Sequence, residues 1–243
     1  MDTCTLVTGA ASGIGRAVCQ LLLARGEKIV AADLSAEALS ATFGNDPNVL
    51  CVAGDLTTAD GLANLTNSLK IRFESVKGFV HCAGFDSARP LGFIADDTVH
   101  KLVAIHAGFP IQFLGWLAKK GNHAEGCSCV CISSLSAHEG AKGHVAYAAA
   151  KGALEGFLKP AAAELLPKGI RLYALVLGIV QTEMVMTWMN KLTPDQLSEM
   201  QKEYPLGFGQ PVDIAKVIDF LLVEDSCWVT GQTLVCDGGH CLT

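Results

Sequence analysis

Seven short apolar runs, separated by segments whose apolar residues recur at helical spacing, constrain this chain more than any other feature. The runs are CTLVT (4–8), KIVAAD (28–33), VLCVAG (49–54), GFVHC (78–82), CSCVCIS (127–133), IRLYALV (170–176) and TLVCD (233–237). They lack the regular polar alternation of a strand with one wet face, so both faces are expected to be covered. Between most of them lie stretches such as IGRAVCQLLLARG and GLANLTNSLKIRF, which carry an apolar stripe. Near-continuous apolar strands alternating with helices make a parallel sheet, and right-handed crossovers wind it in both directions. The predicted fold is α/β, a doubly wound parallel sheet of about seven strands in a single domain spanning 1–243. Such sheets bind ligands beyond the carboxyl ends of their strands, which directs attention to the residues after each run.

Composition narrows the classes of partner. The 243 residues are half hydrophobic and 17% charged, with a net charge of −6 and no clustering of Lys or Arg. That distribution argues against a nucleic-acid footprint. No basic n-region with a long apolar h-region opens the chain, and no apolar run approaches membrane-spanning length, so a cytoplasmic protein with no membrane partner is expected. The ten cysteines fall inside apolar runs rather than at the loop spacings of a small secreted scaffold. Reduced, mostly buried thiols are expected. Cys127, Cys129 and Cys131 would share one strand face, a poor shape for a tetrahedral ion, and no metal site is predicted.

After the first run comes TGAASGIG, Thr8 to Gly15. Gly9, Gly13 and Gly15 permit a sharp turn and close approach to a pyrophosphate, while the following helix aims amides and its positive dipole end at the anion. The second run ends at Asp33, eighteen residues past Gly15. A carboxylate there accepts from ribose hydroxyls and repels a 2′-phosphate, and no arginine stands at Ser12 or directly after Asp33. NAD(H) is thus favoured over NADP(H). Asp33 as a simple turn or helix-capping residue is the alternative. Asp55 and Leu56, after the third run, are placed to edge an adenine.

In HVAYAAAKGALEGF (144–157), Tyr147 and Lys151 are four residues apart and would project from one helix face. A free tyrosine is a good acid but a poor base at neutral pH. A nearby ammonium and an oxidised nicotinamide are expected to lower its pKa, making Lys151 a tuner and Tyr147 a proton-transfer group. Ser134, at the end of the fifth run, can hydrogen-bond a substrate oxygen as charge develops. Ser133 and Ser136 read as turn or backbone-bonding serines.

The glycine turn, Ser134 thirteen residues before Tyr147, Lys151, and the terminal TGQTLVCDGG (230–239) together resemble the classical short-chain dehydrogenase/reductase family, whose fold is a Rossmann-type sheet. The C-terminal third is most similar to 3-oxoacyl-acyl-carrier-protein reductases. The resemblance implies that Ser12, Ile14, Cys82, Ala83 and Gly84 join the glycines along a nicotinamide dinucleotide. It also implies that Lys151 reaches the nicotinamide ribose and that Val180 and Thr182 hold the carboxamide. It implies a substrate lid about 182–205 and a homotetramer built on helices around 99–119 and 144–166 and the C-terminal segment.

Three departures stand out. His106 occupies the position of a family asparagine whose backbone holds a water linked to the lysine; it could kink the helix similarly, relay a proton, or simply pack. HCAG (81–84) replaces the usual NNAG, and Leu177-Gly178 replaces Pro-Gly, which should free the chain after the sixth strand. Met184, Met186, Trp188, Met189 and Leu192 make the lid apolar, suited either to an acyl chain or to packing on the protein. The expected activity is NAD(P)(H)-dependent interconversion of a carbonyl and an alcohol on a 3-oxoacyl thioester, with acyl carrier protein as a candidate partner. The alternatives are a small alcohol, diol, sugar or cyclic substrate, or a nucleotide-binding regulator that has lost turnover.

Overall fold

The computed structural model describes residues 2–242. Seven strands form one sheet: β1 (Thr3–Thr8), β2 (Ile29–Asp33), β3 (Val49–Ala53), β4 (Ser75–His81), β5 (His123–Ser134), β6 (Arg171–Leu177) and β7 (Gln232–Cys236). All neighbours are parallel, in the order β3-β2-β1-β4-β5-β6-β7. The order reverses between β1 and β4, and a crevice opens at the carboxyl ends where the winding changes direction. Thr8 and His81, the last residues of those two strands, stand side by side there.

Alternate strand residues face two separate cores. On one face Leu6, Phe79, Cys127, Cys129 and Cys131 meet Leu65 and Leu69 of α3 (Ala59–Arg72), Phe113 of α5 (Phe109–Leu117) and Leu154 and Leu158 of α6 (Val145–Leu165). On the other, Val7, Val80, Val130 and Leu175 meet Val18 and Leu22 of α1 (Gly13–Ala24), Leu39 of α2 (Ala36–Phe43) and Ile214 and Ile218 of α9 (Pro211–Leu222). The three strand cysteines are therefore core side chains on one face, and burial pushes the Cys131 thiol up to about 12. Thiol burial is less general than the composition suggested, because Cys51, Cys227 and Cys241 are exposed.

The helix that begins as α4 (Thr98–Val103) continues into α5 through a π-helical turn, Ala104–Gly108. The Phe109 amide donates to the carbonyl of Ala104, five residues back. In that register the donor for Ile105 would be Pro110, which has no N–H. The freed Ile105 carbonyl accepts from His81 Nε2 instead, at 2.9 Å.

Candidate active site

The turn from β1 into α1 is built by backbone proximity. Gly9 has φ of +65°, and a Cβ on it would lie 2.8 Å from the amide nitrogen of Ala83; one on Gly15 would lie 2.2 Å from the carbonyl oxygen of Gly9. Neither position tolerates a side chain without movement of the chain. Ser12 makes no side-chain cap on α1. The first amides of the helix, Gly13 and Ile14 among them, thus form a seat for an anion. The seat already attracts one: the Gly13 amide donates to Glu183 Oε2 at 2.9 Å, and the same carboxylate pairs with Arg16. The residues present therefore fit a pyrophosphate.

Asp33 closes the crevice on the β2 side. Its Oδ2 accepts from the Ala11 amide at 3.0 Å and its Oδ1 from the Leu34 amide at 2.8 Å, so the carboxylate is tied to both turns that border it. Asp55 and Leu56 follow β3 at the same edge of the sheet, with Asp55 exposed. One oxygen of the Asp55 carboxylate accepts from the amide and hydroxyl of Thr57, and the Leu56 side chain is buried in the core.

At the carboxyl ends of β4 and β5 the predicted catalytic side chains come together. Tyr147 lies in the first turn of α6, and Lys151 one turn on is buried, its Nζ donating to the Ile132 carbonyl at 2.7 Å and lying 5.4 Å from the centroid of the Tyr147 ring. Ser134 ends β5, and its Oγ accepts from the Ser136 amide at 3.2 Å. The expected lowering of the tyrosine draws on the charge of a bound nicotinamide, whereas the protein's own groups act in the other direction. Burial, reinforced by Asp86, pushes the Tyr147 phenol up, while only its interaction with Ser134 works in the opposite sense. Lys151 is itself lowered to about 8 by burial. Among the protein's own groups desolvation of the phenolate is the largest influence, and it favours the protonated tyrosine. Ser133 also departs from its backbone-bonding reading: its hydroxyl donates to Glu155, which accepts from His138 with its other oxygen.

The histidines explain how the family's asparagines are replaced. His81 Nε2 donates to Ile105, and its Nδ1 accepts from the Thr8 hydroxyl at 2.9 Å; Thr8 Oγ1 in turn accepts from the Ala83 amide at 3.2 Å. This relay ties β1, the chain after β4 and the π turn together, and burial lowers His81 to about 3. His106 sits inside the π turn with Nε2 donating to the Phe85 carbonyl at 3.0 Å and its ring edge-on to Tyr147, centroids 5.4 Å apart. Burial lowers it to about 2. A neutral ring whose only N–H ends on a carbonyl is a poor proton relay, so the packing reading fits better. Gly84 is required beside it, because a Cβ would lie 2.1 Å from His106 Cε1. Cys82 completes the crossing, its amide donating to the Thr8 carbonyl.

After β6 the chain is firmly held, contrary to the freedom expected from Leu177. Leu177 pairs with Ser134 and Cys236, and the Gly178 amide donates to Cys236. Leucine keeps an N–H and extends the sheet where proline would stop it. Val180 bridges to Gly209. Thr182 caps α7 (Glu183–Met189) and stands over the glycine turn, with its Cγ2 3.1 Å from where a Cβ on Gly13 would be. α8 (Pro194–Lys202) follows under a capping box from Thr193. Within this segment Met189 is buried, Met186, Trp188 and Leu192 are half-buried, and Met184 is exposed.

Asp86, His144 and Glu183 also border the site, and nothing in their local sequence marks them. Asp86 Oδ1 and His144 Nδ1 are 3.5 Å apart, and the His144 ring is edge-on to Tyr147 at 6.3 Å.

Comparison with known proteins agrees with this geometry. Residues 9–241 match a sequence profile described as enoyl-(acyl carrier protein) reductase. The chain is 34% identical to YmfI, an uncharacterized oxidoreductase of Bacillus subtilis, over 99% of this chain and 100% of that one. It is 30% identical to an L-2,3-butanediol dehydrogenase of Corynebacterium glutamicum, with 98% of each chain covered. A Brucella melitensis crystal structure titled short-chain dehydrogenase/reductase SDR:glucose/ribitol dehydrogenase superposes with a TM-score of 0.90 at 30% identity, covering 98% of this chain and 96% of that one. Motif order, sheet topology and whole-length similarity agree, and the chain belongs to the short-chain dehydrogenase/reductase family of oxidoreductases.

Proposed function

We propose that this oxidoreductase interconverts a carbonyl and an alcohol using NAD(H) in preference to NADP(H). The observation that carries the reading is the convergence of Ser134, Tyr147 and Lys151 at the carboxyl end of β5, beside the anion seat. Bound there, a nicotinamide dinucleotide supplies the hydride donor or acceptor. Gly9, Ser12, Gly13, Ile14 and Gly15 would surround its phosphates, and Asp33 its ribose. Cys82, Ala83 and Gly84 would line its course, with Val180 and Thr182 at the carboxamide and Asp55 and Leu56 at the adenine. Ser134 donates to the substrate oxygen. Tyr147, kept protonated by burial, gives its proton to that oxygen as the carbonyl is reduced and takes it back in the reverse direction. Lys151 orients the phenol and holds positive charge behind it. His106 positions the tyrosine ring.

For the substrate, the resemblance to 3-oxoacyl-acyl-carrier-protein reductases and the apolar Met184, Met186 and Trp188 of the 182–205 lid support a 3-oxoacyl thioester. A small hydroxylated substrate is the second reading, favoured by the polar Asp86 and His144 beside Tyr147. Exposed Ile111 on α5, Val145 on α6, and Phe220, Trp228 and Val235 toward the C-terminus support assembly as a homotetramer. No helix among the described residues is long and apolar enough to cross a membrane, in keeping with the proposed cytoplasmic location.

The test is a nicotinamide absorbance assay with both cofactors against acetoacetyl thioester, ketones, diols and sugars, run on the parent and on Tyr147→Phe. Turnover should fall on the order of a thousandfold in the variant while NADH still binds in a fluorescence titration. Substantial residual turnover would overturn the role given to Tyr147.

A further inference from the structure

Among the described residues, three buried side-chain polar atoms have no hydrogen-bond partner: Asp86 Oδ1, His106 Nδ1 and His144 Nδ1. Buried polar atoms are nearly always paired, so an unpaired group calls for a ligand or another explanation. These three are not scattered. The rings of His106 and His144 stand 5.4 and 6.3 Å from the ring of Tyr147, and the charge of Asp86 acts on both Tyr147 and Lys151.

Their chemistry is lopsided. The Nε2 of His106 must carry the proton that it donates to Phe85, so its Nδ1 is a lone pair. The carboxylate of Asp86 only accepts. Its Oδ1 is 3.5 Å from His144 Nδ1, so the two atoms face each other in a long ion pair, and the Asp86 and His144 side chains stay 26% and 27% exposed. The backbone keeps them there, because the Arg89 amide donates to the Gly143 carbonyl at 2.8 Å and ties the loop after β4 to the start of α6. His106 Nδ1 lies against Gly84, so the crevice beside the reacting tyrosine is bordered by the partly exposed Asp86–His144 pair, whose carboxylate has acceptor capacity to spare.

We infer that the substrate carries a hydrogen-bond donor, a hydroxyl or ammonium group, close to the reacting carbon, and that Asp86, with His144 beside it, seats that group. The inference rests on the proton-transfer role of Tyr147 and goes beyond it to the substrate. The Asp86–His144 pair thereby favours the second substrate reading over the first, because the polar group nearest the ketone of a 3-oxoacyl thioester is the thioester carbonyl, an acceptor facing a carboxylate. A hydroxyketone or vicinal diol places a donor there. The hydroxyl would donate to the Asp86 carboxylate while the neighbouring carbonyl lies toward Ser134 and Tyr147.

Acetoin and butanone differ by that hydroxyl, as do 2,3-butanediol and 2-butanol. Initial rates with NADH or NAD should give kcat/KM for the hydroxylated member of each pair at least about tenfold higher, as expected for a hydrogen bond to a charged group. In Asp86→Ala that ratio should collapse to within about twofold, mainly through KM for the hydroxylated member, and Asp86→Asn, which keeps one acceptor, should fall between. NADH titration establishes that each variant folds. An unchanged ratio in Asp86→Ala overturns the inference, as does a parent enzyme preferring butanone or acetoacetyl-CoA to acetoin. If none of these compounds is turned over, calorimetric titration of acetoin and butanone into the enzyme–NADH complex decides, and equal affinities or no binding count against the seat. Failure of the underlying reading looks different: NADH does not bind, or Tyr147→Phe turns over like the parent.

Discussion

The two sides of the crevice are built on opposite principles. Around the glycine turn, the polar groups described above find protein partners: Asp33 holds Ala11, Thr8 links His81 to Ala83, and Glu183 takes the Gly13 amide. Its shape comes from main chain packed so closely that Gly9 and Gly15 have no room for a Cβ. Around Tyr147 the shape comes from side chains, and the Asp86–His144 pair there is held at 3.5 Å without a close hydrogen bond. The first side suits a cofactor shared by many enzymes, because a backbone cradle reads only phosphate and ribose. The second side is where substrates would be told apart, because unpaired acceptors penalise any molecule that cannot supply donors.

That contrast can be broken most sharply at Gly15. A methyl group there meets the Gly9 carbonyl, so Gly15→Ala should lower stability by about 1–3 kcal/mol and weaken NADH binding by about a hundredfold or more, read by urea unfolding and fluorescence titration. Near-parental binding would mean that the cradle is looser than its contacts imply.

One buried histidine on each side offers a pH test. His81 and His106 are lowered from 6.5 to about 3 and about 2, so unfolding takes up a proton at each once the pH is below 6.5. Their contribution to stability is complete above that value and is lost as the pH falls toward the folded values, at about 1.4 kcal/mol per pH unit for each residue. His106→Asn should remove one of the two contributions, visible as a shallower loss of unfolding free energy between pH 6.5 and 4. An unchanged slope would show that His106 titrates normally and would reopen its role as a relay.

Smaller effects sharpen the cofactor side. Asp33→Ala should shift selectivity from NAD(H) toward NADP(H) by about tenfold in the ratio of kcat/KM values, through loss of its repulsion of a 2′-phosphate. An unchanged ratio would leave Asp33 as a brace for the turn alone. Glu183→Gln should tighten NADH binding about threefold, because a carboxylate at a helix N-terminus is worth a few tenths to one kcal/mol and competes for the anion seat. Weaker binding would instead identify the Glu183–Arg16 pair as a clamp that holds α7 over the cofactor.

Much of this molecule was legible before folding. Each of the seven apolar runs is a strand, since a stretch buried on both faces needs no distant information to reveal itself. The edges were not legible: β4 begins at Ser75 and β5 at His123, ahead of their apolar cores, because lateral pairing with β1 and with each other extends them. Likewise Tyr147 and Lys151 declared themselves by helical spacing. The sign of the tyrosine's shift did not, because the burial and the Asp86 charge that raise it come from elsewhere in the chain.

The sequence by itself determined the parallel sheet, the glycine turn and the helical register of tyrosine and lysine, all consequences of spacing within a few residues. Only the tertiary structure decided that Pro110 would release a carbonyl for His81, that Glu183 would reach the start of α1, and that Asp86 would pair with His144 beside Tyr147. Those outcomes depend on distances between segments tens of residues apart, where a hydrogen bond is made or missed within less than an ångström.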